Sequence, residues 1–398
     1  MRFLPSNARF PALGAAIAMT VTLALRPAAP FLEAWPHDLL MRLWASSDRA
    51  LTSRVHVGRL PGDQATWPDL LRQIGRTRPA AVLLDADVSA PSDALVRAMH
   101  RVGRVVIPTF PAPPDSARRP HGESPPARSE ISIYGDPGVF PALGALASPD
   151  AAFLDAAERV GAAFFGPAGG VARSIPLAVR IGDTIVATLP LACVLVAYGE
   201  SSLLLENGGD RLDSFGGRTC PLDRGASRPR YPGPRETFRI ASADALVEAA
   251  AAGDVSRAWP GGLEAGDLVL LETEDAPTLR TPTDPAMSRA EVIAAAVDGL
   301  LRADGMRRVP AWIEVPLTAL FGALLGAALM IAGPLRRRAT AGVVIAPLVL
   351  ATLTFGLGRI VSVTGPLLAL AVVAYTLDRL AKKKRAADSP ERVAALEP

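Results

Sequence analysis

The stretch AAVLLDAD, residues 80–87, decides the fold class of the largest part of this chain. Its apolar run Ala80 to Leu84 shows no alternation, which is typical of a strand buried on both faces of a parallel sheet. A helical pattern follows at 92–102, where Ser92 is a suitable N-cap, and a second buried strand follows at 105–108. Strand, helix and strand in this order predict a layered α/β domain with a mostly parallel sheet.

The same alternation continues on both sides of this stretch. Further strands are predicted at 54–58, 162–165, 174–179 and 267–271, and further helices at 67–75, 188–198, 243–252 and 289–301. Two segments interrupt the pattern. Residues 111–130 are rich in proline and predict a flexible loop within the domain, and residues 206–236 predict a long irregular excursion.

Four apolar segments flank this domain, and about 20 apolar residues cross a hydrocarbon core of about 30 Å. They lie at 10–26, 315–335, 341–357 and 360–377, the last three within 315–380. The first is short, so a cleaved signal peptide is an alternative to an uncleaved anchor. The anchor is the favoured interpretation, because no clean A-x-A cleavage site follows the segment.

Basic residues predict how these segments are oriented. Arg2 and Arg9 precede the first segment, Arg336, Arg337 and Arg338 end the second, and Lys382, Lys383, Lys384 and Arg385 follow the fourth. Such clusters stay on the cytoplasmic side. Residues 1–9 and 381–398 are therefore predicted to be cytoplasmic and residues 27–314 to lie outside. The last cluster is predicted to anchor the chain at the lipid surface, with docking of a cytoplasmic partner as an alternative.

Composition excludes several classes of protein. The 398 residues carry a net charge of +3 with no basic soluble face, which does not indicate a nucleic-acid-binding protein. The two cysteines exclude a small disulfide-built domain. Cys193 is predicted to be a core residue, and a disulfide with Cys220 is the alternative.

Candidate site residues follow the strand of 80–84. Asp85 and Asp87 lie where ligands bind in open α/β sheets, beyond the carboxyl ends of strands. They could bind a cation or a ligand amine; the alternative is a helix cap or a salt bridge to an arginine. Arg173 follows a Gly-Gly turn and could reach an anion, or it is a surface turn residue. No metal site and no enzymatic activity are predicted, since no H-E-x-x-H, G-x-S-x-G or phosphate loop occurs.

Several short segments, in their order, resemble the CHASE2 family of extracytoplasmic sensor domains of bacterial membrane receptors. They are 37–40, 83–87 with 93–95, 170–177, 231–238 with 242–246, and 266–271 with 281–282 and 291–292. One apolar helix before the domain and three after it is also the family's layout. The resemblance implies a multi-pass protein of the bacterial cytoplasmic membrane without cofactors. It also adds Asp93 to Asp85, Asp87 and Arg173 as ligand-binding candidates.

Four positions depart from the family pattern. Arg59-Leu60 stands where the first strand commonly ends in an acidic residue, Gly169 replaces an Asp, Glu272 replaces a Gly, and Ile293 replaces a frequent His. If those family positions line a ligand pocket, this chain has lost much of it. It is then expected to sense a different ligand or none.

The predicted function follows from the domain and its flanks. The segment 381–398 is too short for a kinase, cyclase or phosphodiesterase domain. The prediction is a sensor that passes its signal through its transmembrane helices to a separate signalling protein. The alternative is a non-catalytic scaffold of an envelope complex. Gly322 and Gly326 form a G-x-x-x-G, which predicts either homodimerisation or packing on the third or fourth helix.

Overall fold

A computed structural model describes residues 6–25, 28, 32, 34–45, 54–86, 91–112, 125–126, 128–166, 170–206, 208–214, 218–231, 233, 240–331 and 333–387. The chain forms two compact units, an α/β unit of residues 41–307 and a helical unit of residues 1–40 with 308–398.

The helices of the chain are the following: α1 Ser6–Leu25, α2 Ala34–Ala45, α3 Trp67–Arg76, α4 Asp93–Val102, α5 Ala151–Ala156, α6 Leu189–Tyr198, α7 Ala243–Ala251, α8 Arg289–Arg302, α9 Ala311–Met330, α10 Pro334–Gly356 and α11 Thr364–Ala387. Short 3-10 helices lie at Gln64–Thr66, Pro137–Val139 and Val255–Ala258.

The strands are β1 Val55–Leu60, β2 Ala81–Asp85, β3 Val105–Thr109, β4 Ser132–Tyr134, β5 Arg159–Ala162, β6 Ile175–Pro176, β7 Ala178–Ile181, β8 Thr184–Ala187, β9 Ser202–Glu206, β10 Arg211–Ser214, β11 Arg218–Pro221, β12 Ala226–Ser227, β13 Ile240–Ala241, β14 Leu268–Thr273, β15 Thr278–Leu279, β16 Met287–Ser288, β17 Arg307–Arg308 and β18 Arg359–Ile360.

A six-stranded sheet forms the centre of the α/β unit, in the order β13-β1-β14-β2-β3-β5. Every pairing in it is parallel. The residues of β2 and β3 are all buried, as their unbroken apolar sequences predict. The predicted α/β domain with a mostly parallel sheet is therefore confirmed.

Helices cover both faces of this sheet. On one face, α3, α4, α5 and α7 build an apolar core that includes Trp67, Met99 and Trp259. On the other face, α6 packs on β2 and β3, and α8 packs on β1 and β14. The predicted cap of α4 is present, since the Leu95 N–H donates to Ser92 Oγ at 3.2 Å. Gly103 ends this helix in the left-handed conformation, at φ 72°.

Three sequence predictions for this unit were wrong in detail. The strand expected at 162–165 lies at Arg159–Ala162, and the one expected at 174–179 is divided into β6 and β7. The excursion expected at 206–236 contains β10, β11 and β12, of which β10 and β11 join β9 and β4 in a second sheet. Short strands with few apolar residues give a weak signal, because partners distant in sequence supply their stability. Most of 111–130 lies outside the described residues.

The helical unit contains α1, α9, α10 and α11. Helix α1 packs on α9 and α11 around a cluster that includes Ala18, Leu325 and Val373. The bounds of these helices differ from the predicted segments, most clearly at α10, which begins at Pro334 and so includes Arg336, Arg337 and Arg338. Arginine is a good helix former, and an apolar pattern alone does not show that a helix continues through it.

Candidate functional site

The carboxyl edge of the six-stranded sheet holds a row of charged side chains. Glu272 of β14 pairs in register with Asp85 of β2 on one side and with Arg59 of β1 on the other. Residues in register on parallel strands project from the same face. Leu83 and Leu270, two residues earlier, share this face, and it is the one that α6 and α8 cover.

Asp85 forms a bidentate ion pair with Arg289, the first residue of α8. The Arg289 Nε donates to Asp85 Oδ2 at 2.6 Å, and its Nη2 donates to Asp85 Oδ1 at 2.7 Å. Both residues are buried, and the Arg289 guanidinium lies 5.1 Å from the centre of the Phe110 ring. This geometry satisfies the carboxylate at both oxygens. Of the two interpretations of Asp85 that the sequence left open, a salt bridge to an arginine is the one observed.

Two further carboxylates lie at the start of α8. The N–H of Ala290 donates to Glu272 Oε2 at 3.0 Å. The N–H of Ser288 donates to Glu291 Oε2 at 3.1 Å, and the N–H of Glu291 donates to Ser288 Oγ at 3.3 Å, so the helix begins with a capping box. Glu272 therefore occupies the N-terminal end of a helix, where negative charge is favoured. We refer to these residues at the edge of the sheet as the edge cluster: Asp85, Glu272, Arg289 and Glu291.

The edge cluster contains three carboxyl groups and one guanidinium, and all four residues are buried. Burial raises the pKa of Asp85, and Arg289 opposes that rise. Burial also raises the pKa of Glu272; hydrogen bonds from Ser288 and from the Ala290 N–H oppose it, while Asp85 and Glu291 add to it. The pKa of the Cys193 thiol on α6 is raised by burial, with a smaller contribution from Asp85. Glu272 and Cys193 therefore hold their protons more firmly than exposed groups do, whereas Asp85 is paired with Arg289.

Of the sequence candidates that the structure describes, Asp85 alone belongs to the edge cluster. Asp93 lies in the exposed first turn of α4, where the helix dipole favours an acid. Arg173 is half-buried in the turn beside the bridge between Val171 and Arg280. Asp87 and the departure position Gly169 lie outside the described residues.

The sequence did not identify Arg289 as a site residue, and it marked Glu272 only as a departure from the family pattern. For each of these two residues, the sequence contains one feature that indicates a buried partner. An acid at the end of the apolar strand LVLLE is costly to bury unless the fold provides a partner. An arginine directly after the N-cap Ser288 lies at the helix end that favours negative charge, so its position also required a partner.

The remaining polar candidates show no reactive arrangement. Cys193 and Cys220 are both buried, and no disulfide joins them. His56 lies on β1 and its Nε2 is 2.9 Å from Asp267 Oδ2, at the amino edge of the sheet. Among the described residues, no group of three or more His, Cys, Asp and Glu side chains could hold a metal ion.

In the helical unit, the atoms nearest to Gly322 and Gly326 belong to α1. A Cβ atom at Gly322 would lie 2.5 Å from Ala18 Cβ, and one at Gly326 would lie 2.6 Å from the Phe10 carbonyl oxygen. Such distances require glycine. The partner helix differs from the third or fourth helix that the sequence analysis considered, because residues far apart in sequence form this contact.

The basic clusters lie at helix ends. Arg336, Arg337 and Arg338 are in the first turns of α10, and Lys383, Lys384 and Arg385 are in the last turns of α11. Lys382 forms an exposed ion pair with Asp378, at 2.7 Å. Among the residues that the structure describes, two helices, Ala311–Met330 and Pro334–Gly356, are long and apolar enough to cross a membrane, judged by length and composition.

Comparison with protein families gives a match that covers most of the chain. A family model described as the CHASE2 domain matches residues 15–333, a range that extends from within α1 through α9. No curated protein and no solved structure matches the chain.

Proposed function

This chain belongs to the CHASE2 family, a family of extracytoplasmic sensory domains, and we propose that it is a membrane-anchored sensor that signals through a separate partner protein. The family match is the observation that carries the proposal. It covers the whole α/β unit together with apolar helices on either side of it, which is the arrangement expected of a receptor that senses on one side of a membrane.

The proposal includes four membrane crossings, by α1, α9, α10 and α11. Large apolar side chains on the last three of these helices support it, because they are exposed in the described structure and a lipid core would surround them: Leu320, Ile345, Leu353 and Tyr375 are each more than half exposed. The basic residues support an orientation in which both termini are cytoplasmic and residues 27–314 lie outside.

A polar contact in the helical unit suggests how movement would be passed on. Glu314, in the first turn of α9, accepts hydrogen bonds from the backbone N–H of Ser362 at 2.9 Å and from its hydroxyl at 3.0 Å. Arg308, just before α9, donates to Ser362 Oγ at 3.1 Å. Ser362 lies in the turn between α10 and α11. A displacement of the start of α9 would therefore act on two further helices.

The partner would read this displacement from the membrane or from the cytoplasmic side. A signal changes the equilibrium only if the stimulus binds one arrangement better than another. The chain itself is proposed to have no enzymatic activity and no cofactor, with the lipid bilayer and the partner as its binding surfaces. Nucleic acid is not proposed as a partner.

The test is a crosslinking and affinity purification from native membranes, with a tag after residue 398 and identification by mass spectrometry. Recovery of a kinase, nucleotide cyclase or regulator, repeated with the tag on that protein, would support the sensor. An untagged chain is the control. Recovery of no signalling protein under conditions that recover the chain itself would contradict it.

A second candidate is a scaffold in an envelope complex, with a domain that binds no small molecule. One observation favours it: the carboxylate of Asp85, one of the ligand candidates from the sequence, is bound at both oxygens by Arg289. In the same purification, stable recovery of envelope components without a signalling protein would favour the scaffold.

A further inference from the structure

The charges of the edge cluster are unbalanced around Glu272. Arg289 donates hydrogen bonds to both carboxylate oxygens of Asp85. Glu272 is held by neutral donors, the Ala290 N–H and Ser288. Glu272 is only 2 % exposed, so water does not screen its carboxylate from charged neighbours.

The elements around Glu272 carry titratable and charged groups of both signs. Strand β2 supplies Asp85, and α8 supplies Arg289 and Glu291. Strand β1 supplies Arg59 at the paired position, where it is half-buried and forms no ion pair with Glu272 in the described structure. Helix α6 supplies Cys193, whose thiol is neutral because burial raises its pKa. An ionised Glu272 thus lies beside the carboxyl groups of Asp85 and Glu291, while Arg289 is bound to Asp85. The partial positive charge at the start of α8 offsets part of this repulsion.

We propose that Glu272 is a proton-binding site that controls how the N-terminus of α8 sits on the sheet, and that acidity outside the membrane is the stimulus this domain senses. The proposal rests on the sensory role proposed above and specifies its ligand. Protonation removes the repulsion from Asp85 and Glu291. Ionisation of Glu272 restores this repulsion. An ionised Glu272 therefore favours an open arrangement, in which α8 moves away from β14 and water reaches the carboxylate.

The chain connects this site to the membrane helices directly. Helix α8 begins at the edge cluster and ends at Arg302, and only residues 303–310 separate it from α9. A movement at the start of α8 is therefore followed in sequence by the helix that carries Glu314.

The direction of the effect follows from linkage. In the closed arrangement, the start of α8 lies on the sheet and covers Glu272. Burial there raises the pKa of Glu272 above its ordinary value, so the closed arrangement binds the proton more tightly than the open, hydrated one. The stabilisation of the closed arrangement is complete below the ordinary carboxyl pKa. It is lost as the pH rises through the raised pKa. Acidification therefore closes the start of α8, and a rise in pH opens it.

The test uses the full chain in lipid nanodiscs, titrated from about pH 8 to about pH 5. Infrared spectroscopy detects the carbonyl band of a protonated carboxyl group, and hydrogen exchange reports on the amides of 290–292. For the wild type we expect the band to appear on acidification and the exchange, corrected for its intrinsic pH dependence, to slow by about tenfold. In E272Q the band is lost and exchange is slow at every pH, since glutamine mimics the protonated acid.

The matched control is E274Q, two residues away and exposed, which should behave as the wild type. If E272Q does not fold, S288A gives an independent answer. It removes a donor that holds the pKa of Glu272 down, so the band should appear at higher pH than in the wild type. A wild-type protein without the band, or an E272Q variant that keeps the wild-type pH dependence, would overturn the proposal.

Failure of the sensory role can be separated from failure of the proton site. Cysteine crosslinking between α1 and α9 in the same nanodiscs reports movement of the helices. A band and an exchange change that both depend on Glu272 uphold the proton site, even when the crosslinking pattern stays constant with pH. That constant pattern would count against transmission alone. Crosslinking that changes with pH equally in E272Q would overturn the proton site and leave transmission standing.

Discussion

At the scale of single residues, the Asp85–Arg289 pair shows how a buried charge is tolerated. Removing two charges from water costs several kcal/mol per ion, and the bidentate geometry and the Phe110 ring offset that cost. The pair is therefore less a source of net stability than a constraint. It requires the start of α8 to meet the end of β2, because separating the partners leaves a buried charge unpaired.

The first prediction concerns this pair. We expect D85A to destabilise the α/β unit by about 3–5 kcal/mol, since it leaves the Arg289 guanidinium buried without its partner. The double variant D85A/R289A should recover part of the loss, with a coupling energy of about 0.5–3 kcal/mol. Chemical denaturation of the full chain in nanodiscs measures both.

The exposed pair of Asp69 and Arg72 on α3 is the matched control. D69A should change the stability by less than about 1 kcal/mol, because solvent screens this pair. Equal effects of D85A and D69A, or strict additivity of D85A and R289A, would show that the buried pair does not constrain the fold.

At the scale of elements, three sets of contacts fix the position of the beginning of α8. Ser288 and Glu291 form the capping box, Glu272 accepts from the Ala290 N–H, and Arg289 binds Asp85. The sequence predicted the helix at 289–301, and the capping box of Ser288 with Glu291 is likewise local in sequence. The sequence could not indicate the other two contacts, since Asp85 is 204 residues from Arg289 along the chain.

The second prediction compares two helix caps. S288A should cost about 1–2 kcal/mol, because Ser288 is buried and its loss also disturbs the donor to Glu272. S242A, which removes the exposed cap of α7, should cost about 0.5–1 kcal/mol. Hydrogen exchange of the first turns of α8 and α7 measures the two losses separately. A larger loss at α7 than at α8 would contradict the proposed importance of the α8 start.

The third prediction concerns the contact of α9 with α1. We expect G322A to destabilise the helical unit by about 1–3 kcal/mol, because its Cβ would lie 2.5 Å from Ala18 Cβ and from the Gly14 carbonyl oxygen. G342A on α10 meets nothing within 4 Å, so alanine's helix propensity should leave it neutral or more stable. Unfolding in mixed detergent measures both variants, and a neutral G322A would show that α1 and α9 do not pack closely.

At the scale of the whole molecule, the sequence predicted the type of most helices and strands better than it predicted their bounds and their long-range contacts. Unbroken apolar runs such as 80–84 indicated a parallel sheet because burial on both faces leaves a local signature. Helix α11 shows the opposite case. It continues to Ala387 through a basic cluster that the hydropathy pattern placed beyond the segment 360–377. A basic cluster after an apolar segment gives the same hydropathy pattern whether the helix continues through the cluster or ends before it.

The fourth prediction tests the proposed orientation of the whole chain. Single cysteines at Ser148 and Lys382, both exposed positions on opposite sides of the proposed membrane, report which compartment each occupies. Since Cys193 and Cys220 are fully buried, they provide little background labelling. In spheroplasts, a membrane-impermeant maleimide should label S148C at once and K382C only after permeabilisation, because the basic residues hold the α11 end inside. Labelling of K382C in intact spheroplasts would contradict four crossings. Protection of S148C would place the α/β unit in the cytoplasm, where acidity outside the membrane could not reach Glu272.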